Sequence, residues 1–267
     1  MSLPLPSSLS PSKVTAFRDC ALAFRFSAVD RLREPPTTAT VRGTLVHRAL
    51  ERLFWHLPAG SRDRQAALHH LEAAWEDLAD EISLLGMDGE QAAGMRREAV
   101  DLIDGYFRLE DPNSVRAVGM ELMMEATLGD VLVRGIIDRL DIDDDGQYVV
   151  TDYKTGRPPS STHESQSLTG VHFYSLLCEE VLGVRPVRVQ LLYLREPLVL
   201  EARPSEQAMA GLRRRTAAIW SAVERACMQE DFRPRPSALC GWCAWQQFCP
   251  AYGGDPSLAR ETARAGR

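Results

Sequence analysis

Apolar residues recur at the spacing of amphipathic helices over the first 110 residues of the chain. Ser10 followed by Pro11 has the form of a helix N-cap and a first-turn proline, which predicts a helix that extends through Cys20. A second helix is predicted to begin at Gly43, with an apolar stripe formed by Val46, Leu50, Leu53, Phe54 and Leu57. Two further helices are predicted at 62–85 and 90–109.

From Pro112 the pattern changes to the alternation that is typical of strands. The elements predicted after it are three strands at 115–128, 131–142 and 147–153, a helix at 163–182, strands at 187–194 and 199–202, and a long helix at 205–229. This order predicts a mixed α/β fold, with a central mixed sheet flanked by helices, in one domain at 1–252. The two chain ends are expected to form a helical lobe, and the polar tail at 253–267 is expected to be disordered.

The composition narrows the class of protein. No apolar run approaches the roughly 18 residues that cross a membrane, and the N-terminal segment does not resemble a secretory signal. We therefore expect a soluble cytoplasmic protein with no membrane partner. The net charge of −6 disfavours a protein that coats nucleic acid non-specifically, although it permits an enzyme with a locally basic groove.

Acidic residues and a lysine are predicted to meet at one edge of the sheet. Asp138 lies late in the second strand, and Asp152 and Lys154 end the third; in a meander these strands are neighbours. Asp152 and Lys154 are two residues apart, so they point to the same face. Close carboxylates repel unless a cation lies between them, which favours a hard divalent metal such as Mg²⁺. Surface carboxylates beside a solvated lysine are the alternative, but lysine occurs only at positions 13 and 154, so the combination favours a site.

Three segments of the chain resemble, in order, the motifs of the PD-(D/E)XK nucleases. They are Gly-Thr-Leu-Val-His-Arg-Ala-Leu-Glu at 43–51, Arg-Gly-Ile-Ile-Asp-Arg at 134–139 and Asp-Tyr-Lys-Thr-Gly at 152–156. The resemblance is to the RecB/AddB-like exonuclease branch, which includes the CRISPR adaptation nucleases, and it extends from Ser10 to Cys249. It implies a restriction-endonuclease-like core and a Mg²⁺- or Mn²⁺-dependent deoxyribonuclease, with exonuclease activity favoured over endonuclease activity.

The resemblance also implies a role for each residue of the site. The implied ligands of Mg²⁺ or Mn²⁺ are His47, Asp138, Asp152 and the backbone carbonyl of Tyr153. The implied catalytic residues are Asp138, Asp152 and Lys154. The metal would activate a water, and Lys154 would position that water or the developing anion. Two carboxylates on the first strand, Glu121 and Glu125, are candidates for a place just outside the ligand set.

The resemblance is incomplete in the helix that follows the third strand. The family carries a glutamine four residues before a tyrosine there; Tyr174 fits the tyrosine, but Gly170 occupies the glutamine position. Gln166, one turn earlier, is the candidate substitute, and both Gln166 and Tyr174 are candidate DNA contacts. The arginines of the long helix, Arg213, Arg214 and Arg215, either contact phosphates or form a solvated helix face.

Six cysteines occur, and three of them are clustered as Cys240, Cys243 and Cys249. By spacing alone, the cluster is compatible with a zinc site whose fourth ligand comes from elsewhere. The resemblance implies instead that Cys20 joins these three as ligands of a four-iron, four-sulfur cluster in the lobe formed by the chain ends. Zinc remains the alternative. Cys178 and Cys227 lie in helical patterns and are expected to be buried thiols, and Trp242, Trp245 and Phe248 are expected to pack around the cysteines.

The function expected from these features is hydrolysis of DNA phosphodiester bonds in repair or recombination, starting from an end. Two alternatives remain: a catalytically inactive DNA-binding scaffold on the same fold, and a zinc-stabilised interaction module that leaves the acidic cluster unexplained. The expected partner is DNA that is single-stranded or has free ends. The chain contains no P-loop motif, so unwinding would require a separate helicase.

Overall fold

The computed structural model describes residues 2–160 and 164–265, with side chains except at 165–167, 169 and 264–265. The chain divides into two compact units. We call the first the terminal unit; it comprises Met1–Pro35, Glu125–Arg134 and Ala210–Arg267. The second, the core unit, comprises Pro36–Met124 and Gly135–Met209.

The helices lie close to their predicted positions. They are α1 (Pro11–Asp19), α2 (Ala21–Phe24), α3 (Thr38–His56), α4 (Arg64–Asp77), α5 (Ala79–Ser83), α6 (Gly89–Phe107), α7 (Glu164–Leu182), α8 (Glu206–Gln229) and α9 (Pro256–Ala265), with a π-helix at Arg25–Val29. The helix predicted at 62–85 is interrupted at Leu78, whose φ and ψ of −100° and 18° are not helical. In the part of the chain that the structure describes, each helix is too short or too polar to cross a membrane.

Five strands form one mixed sheet, which confirms the predicted α/β fold. They are β1 (Ala117–Leu128), β2 (Val131–Ile142), β3 (Tyr148–Lys154), β4 (Arg188–Tyr193) and β5 (Leu198–Ala202), in the order β1-β2-β3-β4-β5. β3 is antiparallel to β2 and parallel to β4, and β4 is antiparallel to β5. A parallel pair needs a crossover connection, which α7 supplies between β3 and β4.

α3 begins earlier than the sequence pattern predicts. Thr37 is its N-cap: the Thr37 hydroxyl accepts from the amide of Thr40, and the Thr40 side chain accepts from the amide of Thr37, so a capping box fixes the start. Gly43 therefore lies inside the helix rather than at its start. A Cβ at Gly43 would lie 3.2 Å from Thr155 Oγ1, so glycine allows α3 to approach the end of β3 closely.

The core of the core unit lies between the helices and the sheet. The apolar stripe of α3 packs with α4 and α6 and with side chains of β3 and β4, which include Tyr153 and Leu192. A Cβ at Gly105 of α6 would lie 1.8 Å from the carbonyl oxygen of Leu194, so only glycine permits this approach. This packing holds α3 and the end of β3 together, and both carry predicted site residues.

The terminal unit has its own apolar core, formed by residues from both chain ends. Its buried members include Phe24, Phe26, Val223 and Phe248. The structure has a helix, α9, where the sequence predicts a disordered tail, because Ala259 on that helix is fully buried in this core. The backbone amide of Leu3 also donates to the carbonyl of Cys227 at 3.0 Å, which fixes the first residues against α8.

Candidate active site

The register of β2 and β3 brings the predicted carboxylates together. Arg139 pairs with Thr151 in this antiparallel pair, so the preceding Asp138 stands opposite Asp152. Both carboxylates are almost completely buried, at 8% and 4% exposure. The backbone amide of Tyr153 donates to Asp138 Oδ2 at 2.7 Å, which fixes the orientation of that carboxylate.

His47 reaches the same point from α3. Its Nε2 lies 3.2 Å from the carbonyl oxygen of Tyr153, and its Nδ1 lies 3.5 Å from Asp138 Oδ2 and 3.7 Å from Glu121 Oε1. His47, Glu121 and Asp138 each offer one ligand atom, and these three atoms lie within 4.8 Å of one another. An imidazole and two carboxylates at this spacing can bind a divalent metal ion.

Glu121 belongs to this group, whereas Glu125 does not. Glu121 lies in β1 with φ of +44°, a left-handed conformation that costs a non-glycine residue roughly 1–2 kcal/mol. Strained residues of this kind occur preferentially at functional sites. Glu125 instead forms an ion pair with Arg134, at 3.5 Å, in the terminal unit. The sequence does not show which of the two carboxylates lies at the site, because they are four residues apart on the same strand.

Lys154 pairs with Asp152. Its Nζ contacts Asp152 Oδ2, so the ammonium and the carboxylate of the predicted motif lie on the same side of β3. The pKa of Lys154 is raised, because the charge of Asp152 and its hydrogen bond outweigh the effect of burial, which lowers it. The raised pKa favours the protonated ammonium of Lys154, which can donate hydrogen bonds to an anion.

The electrostatics of the site favour a cation. Burial and, after it, the charge of Asp152 raise the pKa of Asp138 to about 7, against the opposing effects of His47 and the amide of Tyr153. The pKa of His47 is also raised, since Glu121, Asp138 and Asp152 together outweigh the lowering effect of burial. Without a metal, such a site holds protons near neutral pH. A divalent cation that replaces these protons stabilises the site.

A buried polar network lies beneath the site. Arg139, whose side chain is 1% exposed, donates to Asp141 at 2.8 Å, to Glu110 at 3.0 Å and to the Tyr153 hydroxyl at 2.7 Å. Thr151 also donates to Asp141, at 3.0 Å. In the sequence, Arg139 stands only at the end of a motif. A charged residue inside an otherwise buried strand was the signal for a network, because an arginine is buried only when its donors are satisfied.

Tyr153 links this network to the ligand group. Its ring is 2% exposed and packs edge-on against Tyr106 and His47, each with ring centroids 5.8 Å away. Its hydroxyl is fixed by Arg139, its amide donates to Asp138, and its carbonyl lies beside His47. The position of the Tyr153 backbone, and with it the ligand group, therefore depends on residues below the site.

α7 places Tyr174 near the carboxylates. A Cβ at Gly135 of β2 would lie 3.0 Å from the Tyr174 ring and 2.9 Å from Leu177, so glycine permits this packing. The pKa of Tyr174 is raised, first by burial and then by the charges of Asp152, Asp138 and Glu121. Gln166 is the other residue of α7 that is predicted to contact DNA, and its side chain lies outside the described residues.

The arginines of α8 belong to the other unit. Arg214 and Arg215 are exposed and Arg213 is half-buried, and all three lie in the part of α8 that is assigned to the terminal unit. Exposure on one helix face is compatible with both interpretations of the sequence, so a contact between these arginines and DNA stays a prediction.

The four predicted cysteine ligands lie around one cavity in the terminal unit. Its lining includes Cys20, Cys240, Cys243 and Cys249. α1 ends at Asp19, and Cys20 is extended, with φ and ψ of −159° and 109°, which turns it out of the helix. The pKa of Cys243 is raised, chiefly by burial and also by the neighbouring Cys20, Cys240 and Cys249.

The other residues of the cysteine region behave differently from one another. Cys178 and Cys227 are buried, as expected, and burial raises the pKa of the Cys178 thiol to about 12. Trp245 and Phe248 pack around Phe26, with ring centroids 6.3 and 5.9 Å away. The expectation that Trp242 packs there is wrong: its side chain is 88% exposed, since it lies on a short 3₁₀ turn that is directed outwards.

Comparisons with known proteins identify the fold and the superfamily of the chain. Comparison with curated proteins gives no match. Among solved structures, the fold is similar to the "Putative exonuclease" of Eubacterium rectale, with a TM-score of 0.53 and 10% identity over 89% of this chain and 87% of that one. It also matches SSO0001, at 16% identity over 87% of this chain and 93% of that one, with a TM-score of 0.39. The sequence profile of the PD-(D/E)XK nuclease superfamily matches residues 8–250, most of the chain, and the protein therefore belongs to this superfamily.

Proposed function

We propose that this metal-dependent nuclease is a DNA exonuclease of the RecB/AddB-like branch that carries an iron–sulfur cluster in its terminal unit. The observation that carries the nuclease assignment is the convergence of His47, Glu121 and Asp138 within 4.8 Å, directly beside the Asp152–Lys154 pair. Three acidic residues, Glu121, Asp138 and Asp152, surround the imidazole of His47. Because their mutual repulsion is costly without a cation, a structural role alone would not favour this arrangement.

The donor set fits Mg²⁺ or Mn²⁺. Carboxylate and carbonyl oxygens are the ligands that both ions prefer, and Mn²⁺ accepts an imidazole more readily than Mg²⁺ does. The residues that would hold the ion are His47, Asp138, Asp152 and the carbonyl of Tyr153, together with Glu121. When bound, the ion supplies an acidified water and stabilises charge on the phosphate that is attacked.

Lys154 and Asp152 complete the reaction through their own chemistry. Protonated Lys154 donates to the attacking water or to the phosphate oxygen on which charge develops, and its contact with Asp152 holds the ammonium in place. Tyr153 keeps Asp138 oriented through the 2.7 Å hydrogen bond from its amide. Tyr174, Gln166 and the arginines Arg213, Arg214 and Arg215 are the proposed contacts to DNA away from the scissile bond.

We propose an iron–sulfur cluster, rather than zinc, as the ligand of the four cysteines that line the cavity. Tetrahedral Zn²⁺ with Zn–S bonds near 2.3 Å brings its sulfurs to roughly 3.8 Å from one another. Among the described residues, no three cysteine sulfurs all lie within 4.8 Å of one another. A four-iron cluster binds each cysteine at a different corner, which requires wider spacing. Its proposed role is to fasten Cys20 to the C-terminal segment.

The biological setting we propose is DNA repair or recombination in the cytoplasm. The substrate is DNA that is single-stranded or has a free end, and any unwinding comes from a separate helicase. A catalytically inactive DNA-binding scaffold on the same fold is the second candidate. The Asp152–Lys154 contact argues against it, since binding DNA without cleavage does not need an acidic residue paired with an ammonium beside two further carboxylates.

A cleavage assay tests the proposal. End-labelled single-stranded, duplex and covalently closed circular DNA are incubated with the full chain and Mg²⁺ or Mn²⁺. We expect mononucleotides or short products from the linear substrates and intact circles. Cleavage of circular DNA would contradict the exonuclease assignment, and binding without cleavage under every condition would support the inactive scaffold.

A further inference from the structure

The core unit contains a cavity of its own, beside the candidate active site. It encloses about 240 Å³, and we call it the arginine cavity because its lining includes Arg42, Arg108 and Arg195, together with Thr155, Glu98 and Asp101. A water occupies about 30 Å³ of liquid volume, so the cavity has room for a hydrated phosphate group. Neither the metal site nor the cysteine region accounts for it.

The fold fixes the position of the arginine cavity relative to Lys154. Lys154 pairs with Tyr193 in the parallel register of β3 and β4, and the amide of Leu194 donates to the carbonyl of Lys154 at 2.9 Å. Thr155, one residue after β3, and Arg195, two residues after β4, therefore leave the same end of these neighbouring strands. Thr155 also lines the open groove that contains His47 and Glu121, so the two spaces share one wall.

Unsatisfied donors point to an anion. The Arg42 side chain is 11% exposed and contacts Glu98 through Nη1, but its buried Nε has no hydrogen-bond partner among the described residues. Arg108 and Arg195 are exposed, and within the described ranges no carboxylate lies within 4.0 Å of either guanidinium. Three guanidinium groups against Glu98 and Asp101 leave the lining net positive in a protein whose overall charge is negative.

Guanidinium groups favour one ligand chemistry in particular. Their planar N–H pairs match the geometry of phosphate oxygens, and a phosphate accepts several such bonds at once. A strand whose scissile phosphate lies at His47 and Asp138 extends its neighbouring phosphates along the adjoining surface, and Thr155 is the residue common to both spaces.

We propose that the arginine cavity binds a backbone phosphodiester of the DNA strand next to the one that is cleaved, an assignment that rests on the proposed nuclease function. Arg42 forms the buried side of this phosphate site, and Arg108 and Arg195 form its exposed side. The cavity fixes the register of the strand on the metal site, so its removal weakens DNA binding more than it slows the chemical step.

The test compares Arg195→Gln and Arg108→Gln with Arg97→Gln. Arg97 is exposed on α6, as a matched control requires, and it is not part of the cavity lining. We expect each cavity variant to raise KM for a 20-nucleotide strand about fivefold to tenfold, with kcat changed less than threefold, and the control to change KM less than twofold. The slope of log KM against log salt should fall by about 0.7 for each phosphate that the variant no longer binds.

Position is tested with strands that carry one uncharged methylphosphonate linkage at successive sites. At one position next to the cut, the methylphosphonate linkage should raise the KM of wild-type protein by the same factor of five to ten. At that position it should not raise the KM of Arg195→Gln any further. An equal penalty in both proteins, or equal behaviour of Arg195→Gln and Arg97→Gln, would overturn the proposal. If KM rises only when a terminal phosphate is removed, the cavity binds strand ends, and the proposal is also overturned.

The two proposals fail in different ways. If wild-type protein cleaves no DNA with Mg²⁺ or Mn²⁺, the proposed function is wrong. The arginine cavity is then judged by fluorescence anisotropy with the labelled 20-nucleotide strand, where Arg195→Gln must weaken Kd relative to Arg97→Gln for the inference to survive.

Discussion

The backbone amide of Tyr153 donates a hydrogen bond to Asp138 Oδ2 at 2.7 Å, across the β2–β3 pair. Through this bond, the orientation of Asp138, a proposed metal ligand, depends on Tyr153, the residue between Asp152 and Lys154. Since the Tyr153 hydroxyl lies in the Arg139 network, a change there reaches the proposed ligands through the Tyr153 backbone and through the contact of its ring with His47.

Tyr153→Phe tests this coupling. It removes the 2.7 Å bond between the Tyr153 hydroxyl and Arg139 but retains the ring, and we expect the apparent affinity for Mn²⁺ to fall about tenfold, the lower end of the range for residues behind metal ligands. Metal titrations of cleavage measure the effect, with calorimetry on DNA-free protein as a check. Tyr148→Phe, on the same strand, is the control, and equal metal affinity of the two variants would contradict the coupling.

The protonation of Asp138 predicts how pH acts on the metal-free protein. Because the folded pKa of about 7 is above the ordinary value of 3.8, the folded state holds a proton that the unfolded state releases, so this contribution to stability is lost as pH rises from about 4 through about 7. Asp138→Asn removes the effect. We expect it to stabilise metal-free protein by up to about 4 kcal/mol at pH 8, and to change little at pH 4.

The same substitution should abolish cleavage and metal-induced stabilisation. Thermal unfolding at several pH values, with and without Mn²⁺, measures both effects. Asp144→Asn, in the exposed turn between β2 and β3, is the control for a neutralised carboxylate. An Asp138→Asn protein that is less stable than wild type at pH 8 without metal would show that burial does not penalise this carboxylate.

The sequence predicted the parts of the site that lie on regular strands. The antiparallel register follows from the short connection between β2 and β3, and it fixes Asp138 opposite Asp152 without further information. Glu121 could not be selected because its orientation depends on one left-handed residue inside β1, which no periodicity reveals.

Long-range packing explains what the sequence pattern left open or predicted wrongly. Cys20 joins three cysteines more than 200 residues away only because α1 and the C-terminal segment share one core, and no spacing rule encodes that. α9 forms for the same reason: Ala259 is buried by residues from the other end of the chain, whereas local composition alone favours disorder.

Lys154→Arg tests whether the ammonium itself is required. The guanidinium is larger and planar, so it cannot take the place of a compact ammonium beside Asp152, and we expect kcat to fall by about a factor of 100 or more. Lys13→Arg is the matched control, because Lys13 is the other lysine of the chain and its ammonium donates to the carbonyl of Ser8, near the start of its own helix. Lys154→Ala should be no more than slightly worse than Lys154→Arg, since either change removes the same function. Near-normal activity of Lys154→Arg would reduce the role of Lys154 to simple positive charge.

The last prediction concerns the cysteine cavity. Protein purified without oxygen should be brown and contain iron and sulfide in similar amounts, and Cys20→Ser should lose both the colour and much of the stability, because it frees α1 from the C-terminal segment. Cys227→Ser is the control: this thiol is buried in the same unit but does not line the cavity, so the variant should keep its iron even if it loses some stability. Iron and sulfide analysis, the visible spectrum and thermal unfolding separate the two effects. Colourless wild-type protein with one zinc per chain would replace the cluster with a zinc site that draws its sulfurs closer together, and loss of iron in Cys227→Ser but not in Cys20→Ser would exclude Cys20 as a ligand.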